Sequence, residues 1–244
     1  MLPIRDHNPS GRTPFVVYAL MAINIGVFLT YAGLPERQVL QQIYVPYALI
    51  PARLGYGEGF GTLITSTFLH GGVLHLAGNM LFLWIFGDNL EDEMGHAGFL
   101  LFYLACAVGA GLIHVLASPG SMVPTVGASG AIAGVMGGYL LLYPKARVDI
   151  LIILVIFFRI IAIPAWLMLG LWLGMQLLGG FNADPNAGGV AYWAHAGGFA
   201  AGVALTLARF LWLGGPGYWR RTHGHPPHPP SQFAPSRIPP VRRP

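Results

Sequence analysis

Ser129 stands in the run Gly127-Ala128-Ser129-Gly130, and His195 in Ala194-His195-Ala196-Gly197-Gly198, each at the opening of a strongly apolar segment. A serine hydroxyl is a weak nucleophile until a base within about 2.6–3.2 Å accepts its proton, and a neutral imidazole suits that task. The pair therefore has the chemistry of acyl transfer and hydrolysis. No acidic residue falls at a comparable depth, and Asp184 in the last loop is the only remote carboxylate. The expectation is a Ser129–His195 dyad whose histidine is oriented by packing or by a backbone acceptor. Gly127 and Gly130 let other backbone and a substrate carbonyl approach the serine. A serine at a helix N-terminus also has unpaired N–H groups around it, which suit a developing oxyanion. Asn79 and His70 are side-chain donors that would complete that site with the Ser129 amide. His75 and Asn79, four apart, share a helix face.

The elements that must position these residues are membrane helices. The chain has 244 residues, 55% hydrophobic and only 9% charged, with a mean hydropathy of +0.60. Soluble domains carry about 25% charged residues. Apolar runs cover 15–33, 64–87, 97–117, 126–143, 148–180 and 190–213, and a span needs roughly 20 residues. The predicted fold is an all-α polytopic membrane protein, a six-transmembrane-helix bundle over 15–213. A cytoplasmic N-terminal segment (1–14) without the apolar core of a cleavable signal precedes it, and a disordered Pro/His/Arg-rich cytoplasmic tail (214–244) follows. Arg159 and Pro164 divide the fifth run: 164–180 is read as the crossing helix and 148–163 as an interfacial approach segment. The alternative is one long kinked helix. Residues 34–63 are too long and too aromatic for a plain connection and are expected to be ordered at the outer interface.

The net charge of +4 does not indicate a nucleic-acid partner, because the basic residues crowd at span ends. With the N-terminus inside, Arg5, Arg12, Lys145, Arg147, Arg159, Arg209, Arg220, Arg221, Arg237, Arg242 and Arg243 are cytoplasmic, and only Arg37 and Arg53 fall outside. That asymmetry predicts both termini in the cytoplasm. Spans two, four and six then run inward, so His70, His75, Asn79, Ser129 and His195 share the outer half of the bilayer. Cys106 is the single cysteine and cannot form an intrachain disulfide. No metal or organic cofactor is expected; His223, His225 and His228 in the tail are at most weak ligands. The Gly130–Gly134–Gly138 and Gly198–Gly202 spacings are also small-residue packing seams, expected to bring spans four and six together. His96 and His114 are read as interfacial, and Asn24 as an interhelical hydrogen-bonding residue.

On these residues the chain resembles the rhomboid intramembrane serine proteases. The resemblance is carried by His70-Gly-Gly-Val-Leu-His75-Leu-Ala-Gly-Asn79, Gly127-Ala-Ser129-Gly130, and Ala194-His195-Ala-Gly-Gly198 with Gly202, in order over about 15–213. It implies Ser129 as nucleophile and His195 as general base, with Asn79, His70 and the Ser129 amide stabilising the oxyanion. His75 then has a supporting role, as have Gly127, Gly130, Gly198 and Gly202. It implies transmembrane protein substrates entering from the lipid bilayer, and a bacterial inner membrane as the location. Two positions depart from the family pattern. Gly61 and Thr62 stand where a Trp-Arg pair is common. Ala133 stands where an aromatic residue often stacks on the histidine, so another side chain, from span five or six, must hold His195. The competing readings are a catalytically inactive relative that binds membrane proteins in quality control, and a His-lined transporter.

Overall fold

The computed structural model describes residues 2–8, 10–154, 157–184 and 186–226. Helix α1 (Phe15–Tyr31) starts directly after Pro14 with no capping side chain of its own. The buried Glu91 carboxylate supplies the cap instead, accepting the Val16 and Val17 N–H groups at 2.9 and 2.8 Å. Short pieces follow: α2 (Glu36–Gln38), a π-helical stretch (Val39–Tyr44), α3 (Val45–Tyr47), α4 (Pro51–Gly55) and α5 (Thr62–Thr65). Residues 34–63 are thus ordered, and the Leu49–Thr125 bridge ties them to the loop before the serine.

Helix α6 (Val73–Ala117) bends at Gly95, where φ is +72° and ψ 164°, a backbone state that glycine adopts readily. Its two arms carry spans two and three of the sequence reading. Helix α7 (Ser129–Leu142) lies at the centre, with nearly every residue buried. Helices α8 (Ala165–Asn182) and α9 (Tyr192–Trp212) complete the bundle. By length and composition α6 and α9 can cross a membrane, and α1 with its bent continuation makes a third candidate. The core around α7 is aromatic, with Phe86, Phe99, Tyr103, Tyr139 and Tyr143 essentially inaccessible.

Two expectations are corrected, the all-α fold and the disordered tail from 214. The fold is mostly helical but not all-α: β1 (Leu2–Asp6), β2 (Arg147–Leu154) and β3 (Phe157–Pro164) form an antiparallel sheet in the order β1-β2-β3. Segment 148–163 is accordingly a hairpin, and the long kinked helix is excluded. Its β-branched density (Val148, Ile150, Ile152, Ile160, Ile161, Ile163) favours a pleated strand over a helix. The N-terminal segment is built in as well, since β1 pairs with β2 and Asp149 accepts from Arg5 Nε at 2.7 Å and contacts His7 Nε2 at 2.7 Å. Residues 214–226, expected in a disordered tail, include α10 (Pro216–Thr222). Trp219 Nε1 donates to the Leu141 carbonyl, and Lys145 N to the Gly224 carbonyl, both at 2.9 Å. Residues 227–244, with His228, lie outside the described residues.

Candidate active site

Ser129 is the first residue of α7, so its amide and those of the following turn have no intrahelical acceptor. Gly127, just before it, has φ +129°, where an L side chain is strained. A Cβ there would meet His75 Nε2 at 2.8 Å and Ser129 Oγ at 3.5 Å, so the bare glycine leaves room between the two. His195 is in the first turn of α9, and its Nε2 lies 2.8 Å from Ser129 Oγ. The helices approach this closely because glycines face each other along the seam. Gly198 and Gly202 press on the carbonyls of Gly130 and Gly134, and a Cβ on Gly130 would come 2.7 Å from that of Ala110.

The second ring nitrogen of His195 is held by a residue that the sequence reading did not single out. Gln176 Oε1, on α8, lies 2.8 Å from His195 Nδ1, and Gln176 itself is buried. The atom set against Nδ1 is thus a side-chain carbonyl oxygen. Trp172, one turn earlier on α8, covers the imidazole at 5.7 Å between ring centroids and 31° between planes, and also meets Phe199. It sets an aromatic ring against His195 where Ala133 supplies none. The available signal was a glutamine inside an apolar run, which is costly in lipid unless it has a partner.

A cavity of about 1130 Å³ opens over the pair, lined among others by His75, Asn79, His114, Ser129, Trp172 and His195. His75 and Asn79 share a face of α6, and Asn79 Nδ2 donates to the His75 carbonyl at 3.1 Å. The Gly71 N–H donates to His75 Nδ1 at 3.3 Å. In a neutral ring that leaves the proton on Nε2, the nitrogen turned towards Gly127 and Ser129. His70 does not line the cavity. It is fully buried behind His75, with ring centroids 5.2 Å apart, and its backbone is fixed by the Tyr31 and Tyr44 hydroxyls. The histidine of this motif that lines the cavity with Ser129 is thus His75, and His70, expected as an oxyanion donor, is not among the lining residues.

The remaining polar residues resolve as follows. His114, expected at the interface, stands in the cavity wall with Nε2 2.9 Å from Thr125 Oγ1. His96 pairs with Glu91 at the α6 bend. Asn24 donates to Leu20 of its own helix at 2.7 Å rather than to a neighbour. Asp184 is at the cavity rim, where it accepts from the Asn186 N–H. Among the described residues no group of three or more His, Cys, Asp or Glu is arranged to hold a metal ion.

The arrangement suits attack by a hydroxyl on a carbonyl with the resulting negative charge met by N–H donors. Comparison with known proteins shows what the chain is similar to. The Rhomboid domain family matches residues 58–212, which contain Asn79, Ser129 and His195. The chain is 32% identical over 195 residues to "Rhomboid protein 1, mitochondrial" of Saccharomyces cerevisiae, covering 77% of this chain and 51% of that protein. It is 33% identical over 130 residues to "Rhomboid-like protein 11, chloroplastic" of Arabidopsis thaliana, covering 53% and 43%. It is 42% identical over 78 residues to "Rhomboid protease GluP" of Bacillus subtilis, covering 32% and 15%. The chain spans about half or less of the length of these relatives.

Proposed function

The chain belongs to the rhomboid family, and from that premise we propose that it is an intramembrane serine endopeptidase acting on transmembrane segments of other membrane proteins. The observation that carries the reading is the 2.8 Å contact between His195 Nε2 and Ser129 Oγ beneath a cavity among apolar helices. Ser129 Oγ attacks the scissile carbonyl carbon while its proton passes to His195 Nε2. The oxyanion is met by the Ser129 amide, His75 Nε2–H and the free hydrogen of the Asn79 amide. His195 then returns the proton to the leaving amine, and the acyl–oxygen bond to Ser129 is hydrolysed by water that His195 deprotonates. His70 supports His75 from behind instead of touching substrate.

The same reading takes the six apolar helical segments (α1, the two arms of α6, α7, α8 and α9) as six spans, with both termini on the basic, cytoplasmic side. The relatives' names divide between mitochondrion, chloroplast and a bacterium. They do not single out the bacterial inner membrane, so the proposal stops at an integral membrane enzyme. Glycine seams along α7 and α9 serve the chemistry by holding the two reactive groups at one depth.

The test is labelling of detergent-solubilised protein with a fluorescent fluorophosphonate, wild type beside Ser129→Ala and His195→Ala, each checked for folding. Cleavage of a reconstituted single-pass substrate is measured in parallel. Labelling and cleavage that need both residues support the endopeptidase. A folded wild type that neither labels nor cleaves refutes it and favours the inactive membrane-protein binder. Chelator-sensitive transport that survives Ser129→Ala would favour a His-lined transporter.

A further inference from the structure

We propose that Gln176 is a positioning residue that fixes the tautomer of His195, making the reactive unit a Ser129–His195–Gln176 series in place of a dyad. The proposal rests on the endopeptidase reading above. Its basis is a chain of three hydrogen bonds whose polarity can be assigned end to end.

Trp172 fixes one end of this chain. Its backbone carbonyl only accepts, and Gln176 Nε2 lies 3.3 Å from it, within the same helix. The amide nitrogen must therefore face Trp172, which turns Oε1 towards His195. An amide oxygen also only accepts. His195 Nδ1, 2.8 Å away, must then carry the proton. In a neutral imidazole the other nitrogen, Nε2, is left with its lone pair, and it is the one 2.8 Å from Ser129 Oγ. The hydroxyl donates to it. Reversing the amide would put NH₂ against Nδ1 and a carbonyl oxygen against a carbonyl oxygen. The histidine would then present Nε2–H to the serine and could not take its proton.

The fold makes this a built arrangement. Gln176 is buried within α8, whose exposed face is apolar (Leu171, Met175, Leu178). A polar side chain there is costly unless it is bonded. Both of its polar ends are bonded, one to its own helix and one to the imidazole. Trp172 contributes twice, with its carbonyl holding the amide and its ring covering the imidazole. During attack the Ser129 proton moves to Nε2 and the Nδ1 proton stays in place. The imidazolium charge is met by the Gln176 carbonyl dipole, where a serine protease triad would use a carboxylate. No proton reaches Gln176.

The experiment measures the fluorophosphonate inactivation rate against pH for wild type, Gln176→Leu and Gln176→Glu, with the thermal transition of each. Gln176→Leu keeps similar bulk without an acceptor and is expected to react roughly 10- to 100-fold more slowly at pH 7, the worth of a hydrogen bond to a group that becomes charged. Gln176→Glu keeps the acceptor and adds charge, so its rate at alkaline pH returns towards wild type. The acid limb of its profile moves up by about one unit or more, because a carboxylate beside the imidazole favours the protonated ring. A purely structural role for Gln176 would lower the thermal midpoint of Gln176→Leu without slowing the reaction of its folded fraction. If Gln176→Leu reacts like wild type with an unchanged profile, or if folded Gln176→Glu keeps the wild-type acid limb, the positioning role is overturned while the endopeptidase reading stands. A folded wild type that does not react at any pH overturns both.

Discussion

Gly198→Ala puts the glycine seam to a quantitative test. Gly198 lies one turn along α9 from His195, and Gly130 follows Ser129 on α7. A Cβ at Gly198 would sit 2.9 Å from the Gly130 carbonyl carbon, nearer still to its oxygen, and 3.2 Å from the Ala110 Cβ. Comfortable carbon contacts lie near 3.5–4.0 Å, so the helices must part by about 1 Å or more at this level. The neighbours on one side are backbone, which cannot rotate away. The 2.8 Å contact between His195 Nε2 and Ser129 Oγ would then stretch past the range of a useful hydrogen bond, roughly 3.2 Å. A misplacement of this size costs on the order of 100-fold in rate. Overpacking costs about 1–3 kcal/mol, more than the helix-propensity gain of up to about 1 kcal/mol for Gly→Ala. The assay is the fluorophosphonate inactivation rate in detergent, with the thermal midpoint of the same sample. Gly26→Ala on α1 is the control, because nothing lies within 4 Å of its added Cβ, and it is expected to leave both readings unchanged or slightly raise the midpoint. A Gly198→Ala protein that labels at the wild-type rate would refute the claim that helix approach sets the dyad distance.

Other predictions separate groups by role. Asn79→Ala should lower kcat roughly 100- to 1,000-fold with the thermal midpoint little changed, as for loss of one oxyanion donor. His70→Ala should lower the midpoint while the folded fraction keeps most of its activity, read by normalising rate to folded protein. Glu91→Ala should destabilise the fold by about 1–3 kcal/mol for each of the two buried N–H groups it uncaps, seen in thermal unfolding and in faster hydrogen exchange at Val16 and Val17. The N-terminal strand should show a pH optimum for docking. The Arg5 hydrogen bond, then burial opposed by His7, leaves the Asp149 carboxyl below its usual value, so its contribution is present above about pH 4 and lost as pH falls further. Burial, then the neighbouring Asp88, pushes Asp6 up to about 6. Its contribution is full below pH 3.8 and lost as pH rises through about 6. Hydrogen exchange across 2–6 should accordingly be slowest near pH 4; protection still rising from pH 4 to 7 would contradict the assignment of Asp6.

Much of the site was legible because lipid makes polar residues conspicuous. Ser129, His195 and Asn79 stand out in apolar runs, and facing glycines announce which helices touch. Gln176 stood out no less, but its partner lies 19 residues away across a loop. Spacing along α8 alone cannot say which neighbour its face meets. His70 was read as a donor from its residue type alone, and the structure sets it behind His75, ahead of Val73, where α6 begins. Before that point the chain runs through a short 3₁₀ turn, Ser66–Phe68, and an extended Leu69, so a period of 3.6 has no meaning there. The hairpin was missed for a different reason. The run 148–180 was divided at Arg159 and Pro164 and its first part read as an interfacial approach segment with no strand assigned, while its concentration of isoleucine and valine before Pro164 was the better guide.

The pairing of β1 with β2 has a consequence of parity. Strands that share hydrogen bonds must lie on one side of the bilayer, so the chain between Asp6 and Arg147 traverses it an even number of times. On the six-span proposal, single passes by α1, the two arms of α6, and α7 would make four. The Lys145 N–H to Gly224 carbonyl bond sets the same condition on α8 and α9, which on that proposal would make two. Each hydrogen bond thus excludes every odd arrangement of the intervening helices without reference to hydropathy or charge. During synthesis the N-terminal strand has to wait, unpaired, until the intervening helices have been made and its partner strand β2 has emerged beside it.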